Sequence, residues 1–249
     1  MNLERDNALL AEEAGEGVLL LTMNRPAQRN AIDIPLLDAM NAAFDAFVQN
    51  DRWRVGVLTG AKPAFCAGLD LKTFSAPDAP RHAVTALIRR VPHLGKPMIA
   101  AVEGAAYTGG LELALGCDFI LASEDARFAD THAKIGALSG SGMGSRLPHA
   151  VGARFARQMM LSCQPIDAAT ALRVGLVNEL LPAGEVLPRA LEIAKAIAAH
   201  DPELLRMAKS VIDRGTETTL AEALAIETET LRQRNAMGGM TWSSAASAG

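Results

Sequence analysis

The first half of the chain alternates short apolar segments with helical periodicities. The apolar segment 17–23 ends at a turn-forming Asn-Arg-Pro, and after Asp33 apolar residues recur every three or four positions. Two further apolar segments, 54–59 and 97–102, end at glycine-containing turns, and a helical pattern covers 82–91 between them. Continuous apolar strands separated by helices are typical of an α/β domain with a buried, mostly parallel sheet.

The second half becomes mainly helical. The patterns predict a helix at 109–115 and strands at 119–122 and 176–181. From residue 185 onward the pattern is helical, in segments 186–199, 202–213 and 220–235. We therefore predict a core at 1–184, a separate helical layer at 185–236 and a flexible tail at 237–249, which is rich in glycine, serine and alanine.

A long excursion separates the second and third predicted strands. Residues 67–95 contain Pro77 and Pro80 before the helical pattern begins at residue 82. Long connections in compact domains often serve as binding loops. We expect this segment to form a lid over a binding site.

Composition narrows the class of protein. The 249 residues are 49% hydrophobic with a net charge of −4, which suits one sizeable core and disfavours nucleic acid as a partner. The three cysteines have no CxxC spacing and the five histidines no HExxH pattern, so neither disulfides nor a metal site are expected. The charged start and the lack of a long apolar stretch predict a cytoplasmic protein without a membrane span.

Candidate chemistry begins at Gly109 and Gly110, directly before an apolar helical stretch. Bare backbone N–H groups at a helix start favour developing negative charge, as in an oxyanion hole. Glu112 lies one turn inside that helix, where its carboxylate could meet a bound substrate. His132 follows twenty residues later.

Two other segments complete the pattern. Residues 65–71 follow the second predicted strand, and small residues at 66–68 allow a close approach to the backbone. Residues 128–136 carry His132 and lead into a glycine-rich segment. Sites in α/β sheets form where strands end, so we read the three segments as one site.

These motifs together resemble the crotonase, or enoyl-CoA hydratase/isomerase, superfamily. The resemblance runs in order from about residue 17 to residue 181. It rests on Asn24-Arg25-Pro26 with Asn30-Ala31, 57–60, 65–71, 96–104, Gly109 to Ala114 with Cys117-Asp118, then Phe128 and Gly136.

The resemblance implies a spiral of ββα units that binds an acyl-coenzyme A thioester, with a C-terminal helical layer forming trimers or hexamers. By motif position, the N–H groups of Ala67 and Gly109 would hold the thioester oxygen. It also implies no cofactor beyond the coenzyme A of the substrate. Further substrate-binding positions implied by the resemblance are Arg25, Lys62, Ala64, Gly68, Leu69, Asp70, Leu71, Gly110, Thr131 and Gly136.

Family hydratases use two glutamates, and this chain matches only the first, Glu112. At the second position it has His132. A histidine near a carboxylate favours the imidazolium form, which can donate a proton near neutral pH. The leading hypothesis is therefore an enoyl-CoA hydratase, a hydro-lyase that gives 3-hydroxyacyl-CoA, with Glu112 as base and His132 as acid.

Several alternatives remain open. His132 could merely hydrogen-bond water or substrate, or Asp130 could supply the missing carboxylate. The protein could also be a non-catalytic acyl-CoA-binding member of the fold. It could alternatively direct the same enolate into isomerisation or C–C cleavage.

Overall fold

The computed structural model describes residues 8–238 and divides the chain into two compact units, 1–199 and 200–249. The strands are β1 (Leu9–Gly15), β2 (Val18–Met23), β3 (Val55–Gly60), β4 (Ala64–Cys66), β5 (Met98–Val102), β6 (Ala105–Tyr107), β7 (Phe119–Ser123), β8 (Arg127–Ala129), β9 (Ile166–Asp167) and β10 (Glu179–Leu181). The helices are α1 (Ile34–Gln49), α2 (Leu71–Phe74), α3 (Arg81–Arg90), α4 (Gly109–Gly116), α5 (Met143–Val151), α6 (Ala153–Ser162), α7 (Ala168–Arg173), α8 (Val186–Ala198), α9 (Pro202–Gly215) and α10 (Leu220–Ala236).

The first unit contains two sheets. The larger has the strand order β1-β2-β3-β5-β7-β10, with β1 antiparallel to β2 and parallel pairing throughout the rest. The smaller has the order β4-β6-β8-β9. The pairs β3–β4, β5–β6 and β7–β8 each give one strand to each sheet, which produces a spiral of ββα units. The predicted fold class is confirmed.

The larger sheet is covered on both faces, which explains its continuous apolar strands. Along β2, Leu19 and Leu21 enter the main core, while Val18 and Leu20 enter a second cluster with α8. Alanines of α8 lie within that second cluster, so the helix packs directly on the sheet. The helical layer was predicted to begin at residue 185, but α8 lies in the first compact unit, and the division between the units falls between residues 199 and 200.

The second unit consists of α9 and α10, which pack against each other. Asp201 caps the start of α9 and pairs with Arg234 of α10 at 2.7 Å, and Thr219 forms a capping box at the start of α10. Several large apolar side chains on these helices are exposed. Of the predicted tail 237–249, residues 239–249 lie outside the described residues.

Candidate active site

The start of α4 packs against the segment that follows β4. A Cβ atom at Gly110 would lie only 2.0 Å from the carbonyl oxygen of Cys66, so this position requires glycine. A Cβ atom at Gly109 would lie 3.2 Å from Cδ1 of Leu69. The first N–H groups of a helix have no helical acceptor. The start of α4 and the segment after β4 thus meet at backbone N–H groups that have no acceptor within the helix.

Thr108 joins the third segment to this point. Its φ of 52° is unusual for a β-branched residue, and its hydroxyl lies 2.6 Å from the hydroxyl of Thr131. The Thr131 N–H also donates to Thr108 Oγ1 at 3.3 Å. These hydrogen bonds hold residues 128–136 beside the start of α4, so the three segments lie together in the fold.

The hydrogen bonds around Leu69 decide which N–H group faces Gly109. The Ala67 N–H donates to the Arg29 carbonyl oxygen at 3.0 Å. Ile32 donates to the Gly68 carbonyl and accepts from the Asp70 N–H, each at 2.8 Å. Consecutive backbone groups of an extended segment point to opposite sides.

The Leu69 N–H therefore points away from Ile32, and within residues 8–238 it has no acceptor. A Cβ atom at the adjacent Gly68 would lie 3.2 Å from the Gly109 nitrogen, which shows how closely these backbones approach. The structure argues against Ala67 as an oxyanion donor, because its N–H is already used. Leu69 is the better partner for Gly109.

Glu112 is held in one orientation at 3% exposure. Its Oε1 atom accepts hydrogen bonds from the Ser139 hydroxyl and, at 3.2 Å, from the Met143 N–H. Met143 is the first residue of α5, so the start of that helix helps to hold the carboxylate in place. Oε2 has no partner among the described residues, and it is the oxygen free to meet a water molecule or substrate.

His132 is oriented by Asp130. The ring Nδ1 lies 2.6 Å from Asp130 Oδ1, and the His132 backbone N–H donates to the same oxygen at 3.1 Å. Asp130 is 2% exposed. Because Nδ1 is occupied, Nε2 is the nitrogen that can face a ligand. Asp130 thus acts through His132, which argues against Asp130 as the missing catalytic carboxylate.

The charges around His132 favour its protonated form. Burial lowers the pKa of the imidazole, but the hydrogen bond and negative charge of Asp130 and the charge of Glu112 outweigh burial. The net effect raises the pKa of His132 above its ordinary value. The imidazolium is therefore available over a wider range of neutral pH than for a solvated histidine.

Both predicted catalytic side chains line one cavity of about 430 Å³. Its walls also carry Leu69 and Thr108, which adjoin the proposed donor groups. The complete lining is Ala67, Leu69, Leu71, Phe74, Ser75, Arg81, Thr85, Thr108, Glu112, Thr131, His132, Ile135, Ala137, Leu138, Gly140 and Ser141.

Arg25 and Asp70 have internal roles. The Arg25 guanidinium pairs with Asp33 at 2.8 Å and Asp70 at 3.1 Å, and it also donates to the Ala31 carbonyl. Burial raises the pKa of Asp70, but the hydrogen bonds and charge of Arg25 and the N–H groups at the start of α2 hold that pKa below its ordinary value. These contacts argue against direct substrate binding by either side chain.

The remaining predicted positions divide into two groups. Leu69, Leu71 and Thr131 line the cavity, and Gly68 and Gly110 shape the backbone beside it. Lys62, Ala64 and Gly136 do not line it; Lys62 is exposed and pairs with Glu103 at 3.3 Å.

Sequence reasoning missed the support given by Ser139 and Thr108 and the place of Arg81 in the wall. The Asp-Thr-His spacing was a signal for the Asp130–His132 pair. Within the described residues, no cluster of three or more potential protein ligands is placed to hold a metal ion. The same part of the chain contains no helix that is long and apolar enough to cross a membrane.

Comparison with known proteins agrees with the motifs and the fold. The model of the family "Enoyl-CoA hydratase/isomerase" matches residues 13–239. A probable enoyl-CoA hydratase of Rhizobium meliloti is 39% identical over 88% of this chain and 86% of its own length. A probable peroxisomal enoyl-CoA hydratase of Arabidopsis thaliana is 33% identical over 95% of this chain and 89% of its own.

Solved structures show the same relation. The enoyl-CoA hydratase of Bacillus anthracis superposes with a TM-score of 0.86 at 33% identity, covering 90% of each chain. An enoyl-CoA hydratase from Mycobacterium tuberculosis gives a TM-score of 0.76 at 40% identity, covering 92% of this chain and 99% of that one. This chain belongs to the enoyl-CoA hydratase/isomerase family, the crotonase superfamily, whose members process coenzyme A thioesters.

Proposed function

We propose that this protein adds water reversibly to the double bond of a trans-2-enoyl-CoA and forms a 3-hydroxyacyl-CoA. One observation carries the proposal. A fixed carboxylate with one free oxygen, Glu112, and an imidazole with one free nitrogen, His132, line the same cavity beside two backbone donors. This pairing supplies a base and an acid for one addition reaction.

The backbone donors act on the thioester. The N–H groups of Leu69 and Gly109 hold the thioester oxygen and stabilise the negative charge that it gains when water attacks the double bond. Removing one such donor typically costs about 2.7–4 kcal/mol of transition-state stabilisation. The thioester oxygen carries less negative charge in the bound substrate than in the enolate. The two hydrogen bonds therefore stabilise the transition state more than the bound substrate, and this difference lowers the barrier.

Glu112 and His132 move the protons. Oε2 of Glu112 takes a proton from water as the water oxygen bonds to C3, and the double-bond electrons pass into the thioester enolate. Nε2 of the His132 imidazolium gives its proton to C2, and the enolate collapses to the 3-hydroxyacyl thioester. The transfers leave Glu112 protonated and His132 neutral, and one proton passes back through solvent to reset the pair.

The proposal extends to the setting of the reaction. The chemistry needs no cofactor beyond the coenzyme A that the substrate carries. Exposed apolar side chains on α9 and α10, among them Leu204, Ile212 and Leu224, support self-association into trimers or hexamers. We place the protein in the cytoplasm, since its three cysteines are free and buried.

Turnover of crotonyl-CoA and longer enoyl-CoAs tests the reaction, followed by loss of the conjugated thioester absorbance. We expect the Glu112→Gln variant to lose about 10²–10⁴-fold in kcat and His132→Ala a similar factor. Glu124→Gln and His93→Ala, at exposed positions outside the cavity, serve as matched controls and should retain the parent rate.

Two results would refute hydration. Binding of acyl-CoA without turnover would identify a non-catalytic member of the family. Conversion of 3-enoyl-CoA to the conjugated isomer, without addition of water, would identify an isomerase. A full rate in His132→Ala would instead refute only the role of the imidazolium as acid.

A further inference from the structure

Arg81, the first residue of α3, brings an uncompensated positive charge to the cavity wall. Its Nη1 atom donates to the carbonyl oxygens of Phe74 at 2.6 Å and Ala76 at 2.7 Å, and Nη2 lies 3.5 Å from that of Pro77. All three acceptors are neutral. No carboxylate of the described residues forms an ion pair with Arg81, and this includes Asp78, the nearest acid along the chain.

The contrast with the other arginine of this region is informative. Arg25 is held by two carboxylates and is largely buried, so its charge is neutralised within the protein. Arg81 is exposed, and its Nε–H has no acceptor within residues 8–238. The edge formed by Nε and Nη2 can therefore bind a carboxylate through two parallel hydrogen bonds, the geometry that guanidinium groups favour.

The position of Arg81 indicates which part of a ligand it would meet. The wall of the cavity continues along the chain from Leu69, beside the backbone donors, through Leu71 and Phe74 to Arg81. Arg81 also donates to the Phe74 carbonyl, so its guanidinium lies beside the apolar part of this wall. A thioester held at Leu69 would direct its acyl chain along these residues.

The surroundings of Arg81 are polar as well. Ser75 and Thr85 line the cavity with it, and Ser141 lines it from the segment before α5. A Cβ atom at Gly140 would lie 3.5 Å from Cγ2 of Thr85, so the two walls approach each other here. A wholly apolar acyl chain would cover the Nε–H of Arg81 without giving it an acceptor, which is unfavourable.

We propose that Arg81 forms a subsite for a carboxylate at the far end of the acyl chain, so that the protein prefers thioesters of dicarboxylic acids. The choice of enoyl thioester as the reacting form rests on the proposed hydration. The preference in binding does not, because Arg81 contacts a part of the ligand that does not react.

Binding of saturated thioesters tests the subsite without any turnover. Calorimetry would compare glutaryl-, adipyl- and suberyl-CoA with pentanoyl-, hexanoyl- and octanoyl-CoA, which have the same chain lengths but end in a methyl group. We expect the carboxylate member of at least one pair to bind about tenfold tighter or more, as for a hydrogen bond to a charged group.

Variants assign the preference to Arg81. Arg81→Gln should abolish it while leaving the affinity for methyl-ended thioesters within about threefold, and Arg81→Lys should retain part of it. Arg89→Gln, on the same helix but outside the cavity, should keep the full preference. Circular dichroism would confirm that each variant is folded.

Three outcomes would overturn the subsite. The parent could show no preference at any chain length, or Arg81→Gln could keep it. Arg81→Gln could also weaken both members of each pair equally, which would assign Arg81 to a phosphate of coenzyme A. If the carboxylate preference is present but no enoyl-CoA is hydrated, the subsite stands and the proposed reaction fails.

Discussion

Replacing Asp130 with asparagine isolates the charge behind His132. The amide oxygen of asparagine can accept from His132 Nδ1 and from its backbone N–H, as Asp130 Oδ1 does at 2.6 and 3.1 Å. The ring orientation is then kept while the negative charge is lost. Because a hydrogen bond to a charged group contributes about 1.5–3 kcal/mol, we expect the proton affinity of the imidazole to fall roughly 10- to 100-fold.

The pH profile of kcat/KM measures this change, since it reports ionisations of the free enzyme. Asp130 and Glu112 raise the pKa of His132 above its ordinary value. A protonated donor is therefore present at low pH and lost as the pH rises through that raised pKa. In Asp130→Asn the alkaline fall in rate should move to lower pH, while the rate on its acidic side approaches that of the parent.

The double variant provides the control. Adding Asp130→Asn to His132→Ala should change neither the rate nor the profile, because the carboxylate acts through the imidazole. An alkaline limb at the same pH in the parent and in Asp130→Asn would refute the reasoning. If Asp130→Asn lowers the rate of the His132→Ala variant by the same factor as it lowers the rate of the parent, Asp130 instead supports the fold or the substrate directly.

Three other results are expected. Ser139→Ala removes one of the two donors to Glu112 Oε1 and should lower kcat about tenfold or more with little change in KM. An unchanged kcat would show that the Ser139 hydroxyl does not position the base. Gly110→Ala places a Cβ atom 2.0 Å from a carbonyl oxygen and should lower Tm clearly in calorimetry. The control Gly144→Ala should leave Tm unchanged, because the nearest neighbour of its Cβ atom would lie 3.8 Å away. Equal Tm values for the two variants would contradict the close approach at Gly110. Burial raises the pKa of the Cys66 thiol to about 12, and all three cysteines are buried. A thiol reagent should therefore label the protein only after denaturation. Rapid labelling of the native protein would contradict the burial of these side chains.

Much of the first unit follows from local patterns. The strands β2, β3, β5 and β7 of the larger sheet are largely apolar because both faces of the sheet are covered. They therefore appear in the sequence within a residue or two of their ends. The smaller sheet is different. Its strands have two or three residues, which is too short for any periodicity to show.

The C-terminal helices show the same limit at the level of packing. Their bounds were predicted closely from the helical pattern, and two of them begin at capping residues, Asp201 for α9 and Thr219 for α10. The sequence pattern of α8 does not show which part of the chain this helix packs against. The helix lies on the larger sheet beside Val18 and Leu20, some 170 residues earlier, and this contact moves the domain boundary.

The sequence alone indicated the kind of site: the glycine pair at the start of α4, Glu112 inside that helix, and a histidine where the resemblance places a second glutamate. Those features are local, since backbone freedom and helix geometry act over a few residues. Only the tertiary structure decided which groups are free to act. The Ala67 N–H is taken by Arg29, Arg25 is taken by Asp33 and Asp70, and Asp130 holds His132, whereas Leu69 and Arg81 keep donors available. A polar group can serve a substrate only when the fold has not already satisfied it, and that depends on partners far away along the chain.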